Sequence, residues 1–227
     1  MPSLARRLVA EAFGTFAVVF FSCAAVVMNS FPSAGYGLLG IALTRGIVLA
    51  VAVTATIAIS GGVLNPALAI GLMAARRLDP RSGVAYIVVQ LAAAVLAGLA
   101  LQLILPAGVA RVVGYGTPLI ANSVTLGKAI TIEAVLTFFL MSAMMGTAVS
   151  PEAPKVGGFG VGLTLFFCVL VGSPLTGAAL NPGQAFGPAV ISGVWVGHAA
   201  YWAGPILGAL VAALFWEHLL LPKRAAA

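Results

Sequence analysis

Charge is what this sequence lacks most. Only 7% of its 227 residues are Asp, Glu, Lys or Arg, against about 25% in soluble globular domains. A chain so poor in charge cannot cover its surface in water, whereas 62% hydrophobic residues suit a bilayer. Cysteine is nearly missing. Cys23 and Cys168 lie in apolar runs, so they build no disulfide framework and read as small buried hydrophobes. No metal-ligand cluster, nucleophile–base pair or phosphate-binding glycine loop is visible, so no metal, cofactor or enzymatic activity is expected. His198 and His218 stand near span ends without a partner motif and are assigned no role. A net charge of +6 would suit nucleic acid, but the basic residues are scattered, which argues against that partner. No stretch reads as a linker. The basic start followed by an apolar run lacks a small-residue cleavage site, so it reads as a first span.

What is present is a series of long apolar segments, at approximately 8–29, 37–59, 84–104, 128–148, 157–173 and 198–221. Each is long enough, or nearly so, to cross a hydrocarbon core of about 30 Å. Six spans put both termini on one side. Arg6, Arg7, Arg76, Arg77, Arg81, Lys155, Lys223 and Arg224 then share that side, which the positive-inside rule makes cytoplasmic. Arg111 and Lys128 fall in or beside the long outer loop. A multi-pass protein of the cell membrane is expected.

Two further segments, 60–76 and 174–192, are too short to cross after their Gly-containing starts. The first contains Asn65-Pro66-Ala67 and the second Asn181-Pro182-Gly183. Each follows the second span of its half. The first span of each half carries a Glu with a Thr four residues on, Glu11 with Thr15 and Glu133 with Thr137. Three spans per half is odd, so the second half must run inverted. The expected architecture is all-α: six transmembrane helices plus two re-entrant half-helices, in one domain of residues 1–227 with repeats at about 1–108 and 125–227.

Asn is a strong helix N-cap and Pro is favoured at the first helical position. Each Asn-Pro therefore starts a short helix, preceded by irregular backbone that is tolerated at membrane depth only if buried or lining water. Two half-helices entering from opposite faces bring two positive ends together. Such a centre disfavours cations and hydronium and leaves amide donors for a neutral permeant. Glu11 and Glu133 have two readings: proton or cation sites of a coupled transporter, or acceptors for the loop backbone. The symmetry of one Glu per loop favours the second.

These motifs together resemble the aquaporin, or major intrinsic protein, family over essentially the whole chain. The resemblance rests on the Glu-x-x-x-Thr openings, Ser60-Gly61-Gly62, both Asn-Pro motifs, Phe186-Gly187-Pro188 and Tyr201-Trp202-Ala203-Gly204-Pro205. It implies a homotetramer with one pore per subunit, passing water or another small neutral solute. The compact stretch between the motifs, Ala185 in place of an Asp, and the pair Tyr201-Trp202 resemble the water channels of the family rather than its glycerol channels.

The resemblance places an outer constriction at Arg45, Val169, Ala178 and Gln184, and there the chain departs from the family. The usual Arg after the second motif is Gln184, and the usual aromatic of span 2 is Arg45. Asn-Pro-Gly replaces the usual Asn-Pro-Ala, and Val63 replaces a frequent His. Arg45 sits about 12 Å into its span at 1.5 Å per residue. It either snorkels outward or lines the pore, supplying the family's positive charge from another wall. Gln184 either lines the pore or bonds loop backbone. A channel for glycerol, urea or neutral metalloid acids, and an anion pathway using Arg45, therefore remain beside the water channel.

Overall fold

The computed structural model describes residues 2–154 and 156–222. Lys155, Lys223 and Arg224, which contribute to the charge asymmetry, lie outside the described residues. Six helices among the described residues are long and apolar enough to cross a membrane. They are α1 (Leu4–Asn29), α2 (Gly37–Ser60), α4 (Pro80–Ile104), α6 (Leu126–Met144), α7 (Phe159–Thr176) and α9 (Ala200–Phe215). The half-helices are α3 (Pro66–Ala74) and α8 (Pro182–Ser192), and α5 (Ala107–Ala110) is a single turn in the long connection. The π turns Met145–Val149 and Trp216–Leu220 extend α6 and α9. The two turns meet: a Cβ on Gly146 would stand 2.8 Å from the Trp216 ring.

Local chemistry sets the helix ends. Asp79 caps α4 through a 3.0 Å bond from the Ser82 N–H, and Pro80 takes the first helical position, where no N–H is missed. The α2 and α7 helices both end on left-handed glycines, Gly61 at φ 92° and Gly177 at φ 77°. The sequence places Pro174 in a loop after span 5, but α7 runs through it to Thr176. The ring fixes φ at a helical value, and the helix still closes normally because the Gly177 N–H reaches the Ser173 carbonyl at 3.0 Å.

The second half repeats the first in packing as well as in order. A Cβ on Gly71 of α3 would stand 2.9 Å from the Ala209 carbonyl oxygen of α9. At the matching place, Gly187 of α8 lies so close to Ala94 of α4 that a Cβ would strike its carbonyl. Where α2 crosses α7, Gly46 and Gly162 face each other's carbonyl oxygens, and only glycine permits that approach. Each half-helix is thus seated on the third span of the other half, which ties the two repeats into one unit. Large apolar side chains such as Val9, Phe13, Leu96 and Val211 remain exposed on the outside, where a bilayer is their natural solvent.

Candidate functional site: two opposed half-helices and a narrow lumen

The site starts from two strained loops. Gly61, Gly62 and Leu64 adopt positive φ in the first, and Gly177, Ala178 and Leu180 do so in the second. Leu64, Ala178 and Leu180 carry side chains in the left-handed region, which costs about 1–2 kcal/mol each. Buried carboxylates hold the strain in place. Glu11 Oε1 accepts from Ser60 Oγ at 2.6 Å and from the Val63 N–H at 3.1 Å. Its Oε2 accepts from the Leu64 N–H and from Gln90 Nε2, both at 2.7 Å. Glu133 does the same for the second loop, accepting from Thr176 Oγ1 at 2.6 Å, Ala179 N–H at 3.0 Å and Leu180 N–H at 2.8 Å. Tyr86 and Tyr201 donate to the carbonyls of Ser60 and Thr176, each at 2.9 Å. Both carboxylates are 0% exposed.

The Asn-Pro motifs then meet. Asn65 Oδ1 accepts from the Ala67 N–H at 2.9 Å, and Asn181 Oδ1 from the Gly183 N–H at 2.8 Å, so each Asn caps its own half-helix. Asn65 Nδ2 donates to the Leu180 carbonyl at 2.9 Å, and Asn181 Nδ2 to the Leu64 carbonyl at 3.0 Å. Each amide nitrogen has a second hydrogen beyond that bond. Pro66 and Pro182 start the two helices, and Ala67 and Gly183 follow them, all four buried.

Both Asn residues line a cavity that runs past this junction. Most of its wall is aliphatic and comes from matched positions, Val18 with Leu140 and Leu49 with Leu165 among them. The space open to the centre of a water molecule is only ≈ 20 Å³, little above the ~10–15 Å³ that one water needs. A vestibule of ≈ 330 Å³ adjoins it, walled by α1, α2 and the 112–119 stretch. Ser22, Arg45 and Gln184 line both spaces and so stand at their boundary.

Arg45 does not snorkel. It is 4% exposed, and its Nη1 and Nη2 donate to the Gly177 and Ala178 carbonyls at 3.0 and 2.6 Å. Gln184 Nε2 donates to Cys23 Sγ at 3.1 Å. The structure brings Arg45 and Gln184 together with the Ala178 carbonyl, but Val169 packs in the hydrophobic core and lines neither space. Ala178 contributes its backbone rather than its side chain, and Ala179 is the loop residue on the lumen wall.

Ser22, Tyr86 and Gln90 carry no mark in the sequence, and Cys23, expected as a small buried hydrophobe, is buried and also accepts from Gln184 Nε2. Tyr86 and Tyr201 do occupy matching places in the third spans of their halves, a signal that was available. Ser22 and Gln90 have no such counterpart: the matching residues are Met144 and Pro205.

Comparison with known proteins agrees with this fold. A family profile described as Major intrinsic protein matches residues 1–216. The chain belongs to the major intrinsic protein family. Aquaporin TIP4-4 of Zea mays is 36% identical over 228 residues, covering 96% of this chain and 88% of that protein. Nodulin-26 of Glycine max is 35% identical over 216 residues, covering 92% and 75%. The X-ray structure of the aquaglyceroporin from Plasmodium falciparum superposes with a TM-score of 0.82 at 21% identity, covering 96% of this chain and 97% of that one. At that identity the likeness speaks for the fold. The chain is therefore a multi-pass α-helical membrane protein with the aquaporin architecture, in a family of channels rather than enzymes.

Proposed function

We propose that this chain is a passive transmembrane channel for water, with Asn65 and Asn181 at its centre and Arg45 and Gln184 at its outer mouth. The observation that carries the reading is the crossed pair of Asn side chains on the lumen wall. Each is held by its own half-helix and by the opposite loop, and each keeps one N–H for a passing oxygen. The partial positive charge of two helix N-termini adds to that field and opposes cations and hydronium. A permeating water turns its oxygen to the two amides, so its hydrogens point along the file in opposite directions. A relay of protons through that point is then interrupted.

The small volume of the lumen, ≈ 20 Å³ for the centre of a water molecule, favours water over glycerol, urea or metalloid acids. One hydrogen of each Arg45 Nη is engaged by a loop carbonyl, which blunts the case for an anion pathway. Among the described residues, the hydrogen bonds that Glu11 and Glu133 accept come from the two loops and their edges or from Gln90, which fits support rather than proton coupling. Family resemblance supports a homotetramer, and the cluster of Arg6, Arg7, Arg76, Arg77 and Arg81 supports cytoplasmic termini in a cell membrane.

Stopped-flow light scattering on proteoliposomes tests the reading. Under an impermeant sugar gradient, vesicles shrink much faster than empty ones; under a glycerol gradient, re-swelling stays at the empty-vesicle rate. Fast re-swelling would make the channel a solute facilitator, and shrinkage at the empty-vesicle rate would sink the channel reading.

A further inference from the structure

Three polar atoms at the boundary between vestibule and lumen have no hydrogen-bond partner among the described residues: Ser22 Oγ, Arg45 Nε and Gln184 Oε1. Buried polar groups normally find a partner in protein or water. Here the three unpartnered atoms belong to the three residues that line both spaces. Ser22, Arg45 and Gln184 are 1%, 4% and 5% exposed.

Their chemistry is complementary. Arg45 Nε can only donate, Gln184 Oε1 can only accept, and a serine hydroxyl does both. The Gln184 amide is oriented from behind. The Cys23 thiol donates to the Gly116 carbonyl at 3.8 Å, which leaves its sulfur to accept from Gln184 Nε2. One hydrogen of the nitrogen is therefore engaged, and the oxygen has no partner among the described residues. Each Arg45 Nη likewise gives one hydrogen to a carbonyl, while the single hydrogen on Nε has no partner among the described residues.

We infer that Ser22 is a specificity-determining residue of the channel, completing with Arg45 Nε and Gln184 Oε1 a binding station for one water-sized molecule that both donates and accepts hydrogen bonds. The inference rests on the channel reading above and adds to it a residue from α1 and a selection by chemistry as well as by size. A molecule leaving the vestibule for a mostly aliphatic lumen loses partners; the station replaces them at the narrow point. A water satisfies the donor, the acceptor and the hydroxyl together. A permeant without donors leaves Gln184 Oε1 unpaired, and one without acceptors leaves Arg45 Nε unpaired.

The test compares Ser22→Ala and Ser22→Thr with the wild type in proteoliposomes, with folding checked by monodisperse elution in detergent. If the hydroxyl is what matters, Ser22→Thr conducts water like the wild type. Ser22→Ala then conducts about three- to tenfold less, with a steeper temperature dependence. If Ser22 merely sets width, the order reverses, with Ala fastest and Thr slowest, and the inference falls. It also falls if both variants match the wild type. A second readout does not depend on conduction: a high-resolution structure of the wild type and of Ser22→Ala. An ordered water bonded to Ser22 Oγ, Arg45 Nε and Gln184 Oε1, and displaced or lost in the variant, supports the station even if flux is absent and the channel reading fails. A conducting wild type without that water overturns the station and leaves the channel reading standing.

Discussion

The two ends of the lumen are built on matched positions with opposite chemistry. At the vestibule end stand Arg45 and Gln184; at the corresponding places of the other repeat stand Val161 and Leu68, and all four line the same space. The backbone beneath them differs far less. Both loops carry left-handed residues at the same places, both hang from a buried Glu, and both are braced by a Tyr from the third span of their half. Symmetry is thus kept where hydrogen bonds hold the main chain and abandoned where side chains meet the permeant. The scaffold needs two equal supports. The filter needs only one polar end, because a molecule must be selected once per passage.

The comparison breaks most readily at the supports. Replacing Glu133 with Ala leaves the Ala179 and Leu180 N–H groups buried without an acceptor, at about 1–3 kcal/mol each. Little folded protein is expected from Glu133→Ala, and the same from Glu11→Ala, read as loss of the monodisperse peak in detergent. Normal yield from either variant would mean that the loops hold without their carboxylate. The next effect is on selectivity. The double variant Arg45→Val with Gln184→Leu makes the vestibule end a copy of the other, and releases the Gly177 and Ala178 carbonyls. Glycerol re-swelling in proteoliposomes should rise about tenfold, in line with the worth of a few pocket contacts. Unchanged glycerol flux would show that the polar pair does not set the mouth.

A smaller difference between the halves is Gln90, which gives Glu11 a fourth hydrogen bond where Glu133 has three. Gln90→Met should lower stability by about 1 kcal/mol, seen as a modest fall in detergent melting temperature with water flux retained. The smallest effect concerns α4. The Ser82 N–H bonded to Asp79 holds that carboxyl below its usual range. A depressed folded-state value means that the cap's contribution is present above the ordinary Asp range and is lost as pH falls through the depressed value. Hydrogen exchange over 79–84 should therefore quicken only in strongly acidic solution, and Asp79→Asn should remove that pH dependence.

Much of this was written plainly in the sequence, for a physical reason. Asn65-Pro66 and Asn181-Pro182 are local signals: the cap, the first helical Pro and the short apolar run that follows need only neighbours in the chain. Glu11 and Glu133 stood out because a carboxylate in a span demands partners. The lumen wall was harder to read. The spans are apolar around most of their circumference, so the pattern does not reveal which face looks inward. Val53 lines the lumen and the matching Val169 does not, although both are valines on second spans. Ser22 and Cys23 are adjacent on α1, yet one borders the vestibule and the other sits behind Gln184. Arg45 was conspicuous by its charge, but its two carbonyl partners lie more than half the chain away and could only be seen in three dimensions.

The crossed bonds at the centre also bear on how the protein is made. Asn65 bonds the Leu180 carbonyl and Asn181 bonds the Leu64 carbonyl, so neither half supplies both sides of its own junction. The first repeat leaves the ribosome with its loop incomplete and must wait in the membrane for the second. The junction at the centre of the passage consequently cannot close before the second loop is in place.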